Sequence, residues 1–320
     1  MKKYSVGVDI GGTTVKLGLF GTDGEILKKW QIVTRKENEG AFILADVAGS
    51  IREILNERKI SFADVEGIGM GVPGPVDENG YVERCVNLGW KDIRPAEKMK
   101  ELLPPDADLK IAVGNDANVA ALGEQWLGGA KGYQSSVMVT LGTGVGGGVI
   151  LNGKMIAGSH GVGGEIGHIT VNPAEEDQCN CGNHGCLEQY ASATGVVRIA
   201  KKILEEREKN GKKESALRAY GHLSAKDVFD CAKRSDEAAL EAVEVLGNYL
   251  GLALSFISLT IDPDVFVIGG GVSKAGPILT DVIGKYYHKY VTITKKHAQI
   301  VLATLENDAG ICGAARLVME

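Results

Sequence analysis

A chain of 320 residues, 44% hydrophobic and 24% charged, has the profile of a soluble globular protein with one large domain or two closely joined ones. A net charge of -6 argues against a nucleic-acid surface as the main partner. No secretory signal is read, because Asp9 breaks the apolar run behind Lys2 and Lys3, and the longest apolar stretch, near 250–261, is too short to span a bilayer; a cytoplasmic chain without a membrane partner is expected.

Residues 4–10 alternate as a strand ending at Asp9, followed by a Gly-Gly turn, a strand over 15–20 and, after Asp23-Gly24, another over 25–34. Apolar residues at helical spacing predict a helix over about 39–58. Residues 65–72 read as a buried strand closed by Pro73-Gly74-Pro75, 109–113 as another, and 115–127 as a helix opened by Asn115-Asp116. A similar series then restarts: a strand over 136–141, a glycine turn over 142–148, a returning strand over 149–151, and Asn152-Gly153 as a type I′ turn. Helices follow near 195–206, 224–233 and 235–259, then a strand over 265–268 stopped by three glycines, a helix to about 285, a strand over 299–303 and a helix over 309–318. Each half thus begins strand, glycine turn, strand. Two α/β lobes facing across a cleft are the natural architecture.

The 44 glycines cluster in GG and GGG runs, which mark tight turns and close backbone approach to a ligand. No G-x-x-x-x-G-K-[ST] run exists, so a P-loop is excluded. GxGxxG occurs at 69–74 and 142–147, but neither opens a helix as a dinucleotide fingerprint must. Segments 9–16 and 141–147 read instead as hairpins whose N–H groups and hydroxyls could grip a polyphosphate. The candidates are Asp9 (holding Mg²⁺ through water), Gly11, Gly12, Thr13, Thr14, Lys16, Thr140, Gly142, Thr143, Gly144, Gly146, Gly270 and Gly271. Taken singly, each reads better as an ordinary hairpin turn; two such hairpins together with Gly269–Gly271 favour the nucleotide.

Segment 165–188 holds His168, Cys179, Cys181 and Cys186, the ligand set of a closed tetrahedral zinc site. Four protein ligands leave no open position, so the zinc is expected to be structural. Glu165 and Glu188 at its edges read either as solvated charges or as acceptors for vicinal sugar hydroxyls. The second ring nitrogen of His168 is available to the same sugar. Asp116 stands either as a helix cap or as a general base, with Asn115 beside it offering donor and acceptor.

The segments DIGGTTVK (9–16), GVPGPVD (71–77), NLGW (87–90), Asn115-Asp116-Ala-Asn, LGTGVGGG (141–148), EIGH…CNCGNHGCLE and GGGV (269–272) together resemble the ROK family of bacterial sugar kinases, most of all its ATP-dependent glucokinases. The likeness runs over essentially the whole chain. It implies an actin-like, hexokinase-type (ribonuclease H-like) two-lobe α/β fold, with lobes of 1–118 plus 308–320 and of 119–307. It also implies Asp116 as the base, and Glu165, Glu188, His168, Asn115, Gly74 and Asn87 as sugar contacts. ATP with Mg²⁺ and D-glucose would be the substrates, and a homodimer or homotetramer the assembly. The family often has Thr-Lys after the Gly-Gly pair, where this chain has Thr13-Thr14. The alternatives are another hexose or an N-acetylated amino sugar as acceptor, a non-catalytic sugar-binding module, and a sugar-responsive repressor. No basic recognition helix precedes the first strand to support the last.

Overall fold

The computed structural model describes residues 2–105, 107–212 and 214–319. Two five-stranded sheets and a two-stranded ribbon carry the strands. The first sheet opens with an antiparallel meander of β1 (Tyr4–Ile10), β2 (Thr14–Gly21) and β3 (Ile26–Val33). A short turn α1 (Glu37–Gly40) and helix α2 (Ile43–Glu57) lead to β4 (Val65–Val72), parallel to β1. The ribbon β5 (Val82–Cys85) and β6 (Trp90–Ile93) comes next, followed by α3 (Pro95–Glu101). The strand β7 (Lys110–Asn115) then completes the order β3-β2-β1-β4-β7, and α4 (Asp116–Leu127) leaves its end.

The second sheet repeats this connectivity. Its strands β8 (Ser136–Leu141), β9 (Val145–Leu151), β10 (Lys154–Met155), β11 (Val265–Gly269) and β12 (Gln299–Leu302) run in the order β10-β9-β8-β11-β12. Asn152 and Gly153, with φ of 52° and 77°, make the type I′ turn expected between β9 and β10. Between β10 and β11 lie α5 (Glu188–Ala191), α6 (Ala193–Lys209), α7 (Ala225–Ala232) and α8 (Glu237–Ile261). Helix α9 (Pro277–Tyr290) joins β11 to β12, and α10 (Ala309–Leu317) ends the chain.

Contacts divide the chain into two compact units, one of residues 1–134, 148–164 and 304–320 and the other of 135–147 and 165–303. The boundary expected after 118 falls inside α4, which packs along α10 and so belongs whole to the first unit. In that unit Val6, Val8 and Ile10 of β1 share one buried core with Val47, Ile51 and Leu55 of α2. On the opposite face of the sheet, glycines stand where α10 crosses β1 and β4. Gly7 and Gly69 are cross-strand partners, and a Cβ there would lie 1.9 and 1.8 Å from the α10 carbonyls of Ile311 and Ala314. Helix α10 can rest on the strands only because those positions have no side chain.

In the second unit α8 is the core helix. It packs on α6, α7 and α9, and among the described residues it is the one helix long and apolar enough for a membrane span. Leu246, Leu250 and Leu254 along it are fully buried within the protein. One stretch departs from the sequence pattern: the helix expected from 39 starts at Ile43. Asn38, Glu39 and Gly40 all have positive φ, and the Trp90 indole donates to the Gly40 carbonyl at 3.2 Å, fixing a left-handed turn instead.

Candidate active site

Within the first unit, the register of β1 and β2 sets Asp9 opposite Lys16. Burial pushes the Asp9 carboxyl above its usual range, with the Lys16 ammonium drawing it partly back. A Cβ on Gly310 would sit 2.9 Å from an Asp9 carboxylate oxygen, so the first turn of α10 is bare where that carboxylate lies. Between the strands, Gly11, Gly12 and Thr13 form a turn closed by the Gly11 N–H on the Thr14 carbonyl at 3.1 Å.

At the edge of the same sheet, level with Asp9 along the parallel strands, β7 runs directly into α4. Asn115 is the N-cap: its Oδ1 accepts from the N–H groups of Ala117 and Asn118 at 3.0 and 3.1 Å, and its amide donates to the Gly74 carbonyl at 3.0 Å. Capping is therefore the work of Asn115. Asp116 is the first helical residue, half-buried, with Oδ1 accepting from the Ala117 N–H at 2.8 Å. Gly74, at φ 94°, takes a conformation that favours glycine and directs its carbonyl to Asn115. Asn87 is exposed, and its carbonyl lies 3.4 Å from where a Gly12 Cβ would be, so the 87–90 segment abuts the first glycine turn.

In the second unit, Thr140, next to last in β8, pairs with Gly269, and a Cβ on the following Gly270 would be 2.5 Å from the Leu141 carbonyl. The turn Gly142–Gly144 closes on itself through the Gly142 N–H and the Gly144 carbonyl at 2.9 Å, and Gly146 continues into β9. Glu188, at the start of α5, reaches this turn: its Oε2 accepts from the Val145 N–H at 3.0 Å. A Cβ on Gly144 would stand 2.3 Å from that same oxygen, so the glycine makes room for the carboxylate.

Glu165 is exposed at the start of a single 3-10 turn that ends at His168. The ligand atoms of His168, Cys179, Cys181 and Cys186 all lie within 4.8 Å of one another. Nδ1 of His168 is 4.0 Å from the Cys179 Sγ, and the Sγ atoms of Cys181 and Cys186 are 3.6 Å apart. A tetrahedron with metal–sulfur bonds near 2.3 Å has edges of about 3.8 Å, so these spacings fit one ion and are far too long for a disulfide. Burial, then the neighbouring thiols, push Cys186 up to about 12, while a backbone N–H from Asn183 lowers Cys181. Ion pairs and amides hold the loop elsewhere. Arg198 of α6 bonds Glu175 and Asp177 at 3.0 and 2.7 Å, and Gln189 joins the Cys186 N–H to the Asp177 carbonyl.

The family model for ROK matches residues 5–320. The chain belongs to the ROK family. It is 43% identical to a glucokinase of Halalkalibacterium halodurans over 99% of this chain and 96% of that one. It is 35% identical to a glucokinase of Thermotoga maritima over 98% and 97%. Its structure is similar to that of a ROK family glucokinase from Streptomyces griseus in complex with glucose and AMPPNP, with a TM-score of 0.73, 32% identity and 98% of each chain covered. The actin-like, hexokinase-type fold expected from the sequence is therefore the fold of this ROK protein.

Sequence reasoning overlooked one feature of the second unit. Beside Gly271 lies a cavity of about 350 Å³ with Phe229 and Val272 in its walls and Lys226 and Lys233 at its edge. Only the glycines carried a motif; Phe229 and Lys226 sit on α7, with Lys233 just past its end, and the apolar spacing of that short helix reads simply as core.

Proposed function

We propose that this ROK protein phosphorylates D-glucose at its 6-hydroxyl with ATP as donor. Full-length similarity to bacterial glucokinases supports the reading. The observation that carries it to a chemistry is the division of labour at α4, where Asn115 caps the helix and Asp116 stands beside it with its carboxylate on the helix N-terminus. Asp116 takes the proton from the attacking hydroxyl, the new P–O bond forms at the γ-phosphorus, and the bond to the ADP oxygen breaks. The transfer has a loose transition state, so most of the rate comes from placement and charge neutralisation.

Glu165 and Glu188 accept hydrogen bonds from sugar hydroxyls, Glu188 through the oxygen not bonded to Val145. Asn115, with one amide proton not given to Gly74, Asn87 and the Gly74 backbone add further contacts. His168, whose Nδ1 faces the thiols, keeps Nε2 for the sugar. Gly11, Gly12, Thr13, Thr14 and Lys16 serve the phosphates, as do Thr140, Gly142, Thr143, Gly144 and Gly146. Gly271, with Gly270 before it, borders the cavity beside Phe229, whose apolar wall and ammonium rim suit a purine nucleotide; Gly270 is proposed with it as a nucleotide contact. Mg²⁺ bound with ATP would neutralise the phosphates, and Asp9, opposite Lys16 on the neighbouring strand, is the carboxylate that would hold it through water. Zn²⁺ suits the three thiols and one imidazole, filling all four positions in a structural role. A cytoplasmic homodimer or homotetramer fits the family likeness, and sedimentation would read the assembly.

The test is ADP release with a panel of hexoses, given ATP and then polyphosphate, for wild type and Asp116→Ala. The expected result is release that needs glucose and ATP and disappears in the variant. No release with any hexose, or full activity in the variant, would overturn the reading.

A further inference from the structure

The two glycine turns lie in different compact units and share no residues, yet each is fastened in the same way. At the first, Thr34 donates its Oγ1 to the Gly11 carbonyl at 2.7 Å and its backbone N–H to the Thr13 carbonyl at 3.0 Å. At the second, Thr194 donates its Oγ1 to the Thr143 carbonyl at 3.0 Å, and the neighbouring Ala193 N–H goes to the Gly142 carbonyl at 2.8 Å. In both, one threonine hydroxyl and one backbone amide hold two turn carbonyls.

The consequence follows from the peptide group. In a trans peptide the C=O and the following N–H are coplanar and point in opposite directions, and the chain has no cis bond among the described residues. Pinning the Gly11 carbonyl on Thr34 therefore turns the Gly12 N–H away from Thr34. Pinning the Thr143 carbonyl on Thr194 turns the Gly144 N–H away from α6, and the Ala193 bond does the same for the Thr143 N–H. Among the described residues, none of these three N–H groups has a protein acceptor. Each hydroxyl has only one proton to give. At Thr194 it goes to the turn, so Ser192, 3.0 Å away, is the donor in their mutual contact while it also caps α6.

We infer that Thr34 and Thr194 are positioning residues for the triphosphate: each draws one turn carbonyl back and thereby aims the amide of the next glycine, Gly12 or Gly144, at a phosphate oxygen. Left to rotate, those peptide units would bring a carbonyl oxygen toward an anion instead. This rests on the ATP-dependent reading above. It adds two residues whose hydroxyl protons are given to the turns themselves, and Thr34 lies on no glycine motif.

The test compares Thr34→Val and Thr194→Val, which keep shape and lose the hydroxyl, with the matching serine variants, which keep it. A net hydrogen bond of this kind corresponds to roughly a 3- to 10-fold change in an equilibrium constant. KM for ATP should rise by about that factor in each valine variant while KM for glucose stays within about 2-fold, and serine should restore both. The turns share no partner, so the double variant should show about the product of the single effects. Calorimetry should find affinity for a non-hydrolysable ATP analogue reduced and affinity for adenosine unchanged, which general loosening would not produce. Thr194 is exposed, so Thr194→Val carries the test alone should Thr34→Val fail to fold. An active wild type whose valine variants keep their ATP affinity, or lose adenosine and ATP equally, overturns the inference. A wild type that uses no ATP overturns the functional reading first.

Discussion

Asp116 and Glu165 belong to regions held in place by different physics. The helix that starts at Asp116 is gripped along its length. A Cβ on Gly313 of α10 would be 1.7 Å from the Val119 carbonyl, and one on Gly123 would be 2.2 Å from the Ala309 carbonyl, so the two helices meet backbone to backbone. At its far end the fully buried Glu124 accepts N–H bonds from Gly129, Thr304 and Leu305, tying α4 to the segment before α10. The candidate metal loop meets other backbone this closely at Gly167, where a Cβ would be 2.1 Å from the Val145 carbonyl, and at Gly185, where it would be 1.8 Å from the Asn172 carbonyl. Between Glu165 and Glu188, however, most side chains are exposed, and the rest of the loop is tied at separate points by the Arg198 ion pairs and the Gln189 bridge, with the four candidate ligand atoms gathered at one place. A packed helix gives way only with the unit around it, whereas a loop pinned at points can be released one pin at a time.

The largest expected effect comes at the packed side. Asp116→Asn should lower kcat by roughly 10²- to 10⁴-fold while leaving the melting temperature near wild type, since Asn115 retains the cap. A variant that kept its rate would break the comparison at its chemical end. Next, Gly69→Val should destabilise the first unit by about 3 kcal/mol or more, because a side chain there must push α10 off the sheet. Urea unfolding would show whether it does. At the loop, Cys181→Ser should lose bound metal and raise KM for glucose by roughly 10-fold or more, with a much smaller change in unfolding of the first unit. Equal loss in both regions would mean that the loop is not separately held.

The smallest effect concerns acid. Burial works against the Glu175 charge, but hydrogen bonds from Arg198, the Tyr190 phenol and the Asp177 amide outweigh it and hold its pKa at about 2 instead of 4.5. A carboxyl lowered on folding adds stability that is complete above its unfolded value and is lost as pH falls through the folded one. Wild type should therefore give up this contribution between about pH 4.5 and 2. Glu175→Gln should lack it at neutral pH and show a flatter melting curve over that window.

The two regions also differed in how much their sequence disclosed. The metal loop announced itself, because thiols and imidazole at close spacing have few other uses, and their ligand atoms do converge. Strands β4 and β8 were legible to the residue, being short, mostly uncharged runs rich in apolar residues and bounded by turns. The ribbon β5–β6 was not: four residues with two exposed in the middle make no periodic signal. The glycines of β1 and β4 read as ligand approach or turns, while their use at Gly7 and Gly69 is to seat a helix from the far end of the chain. Thr34 was hidden for a similar reason: its partners, Gly11 and Thr13, are set by strand register and not by any local motif.

The most direct test of this account is a chelator titration in which bound zinc per chain, KM for glucose and the thermal melt are read on the same samples. The account predicts that KM for glucose climbs as zinc leaves while the main unfolding transition stays in place. A zinc-free chain that binds and phosphorylates glucose as well as the loaded one would contradict it.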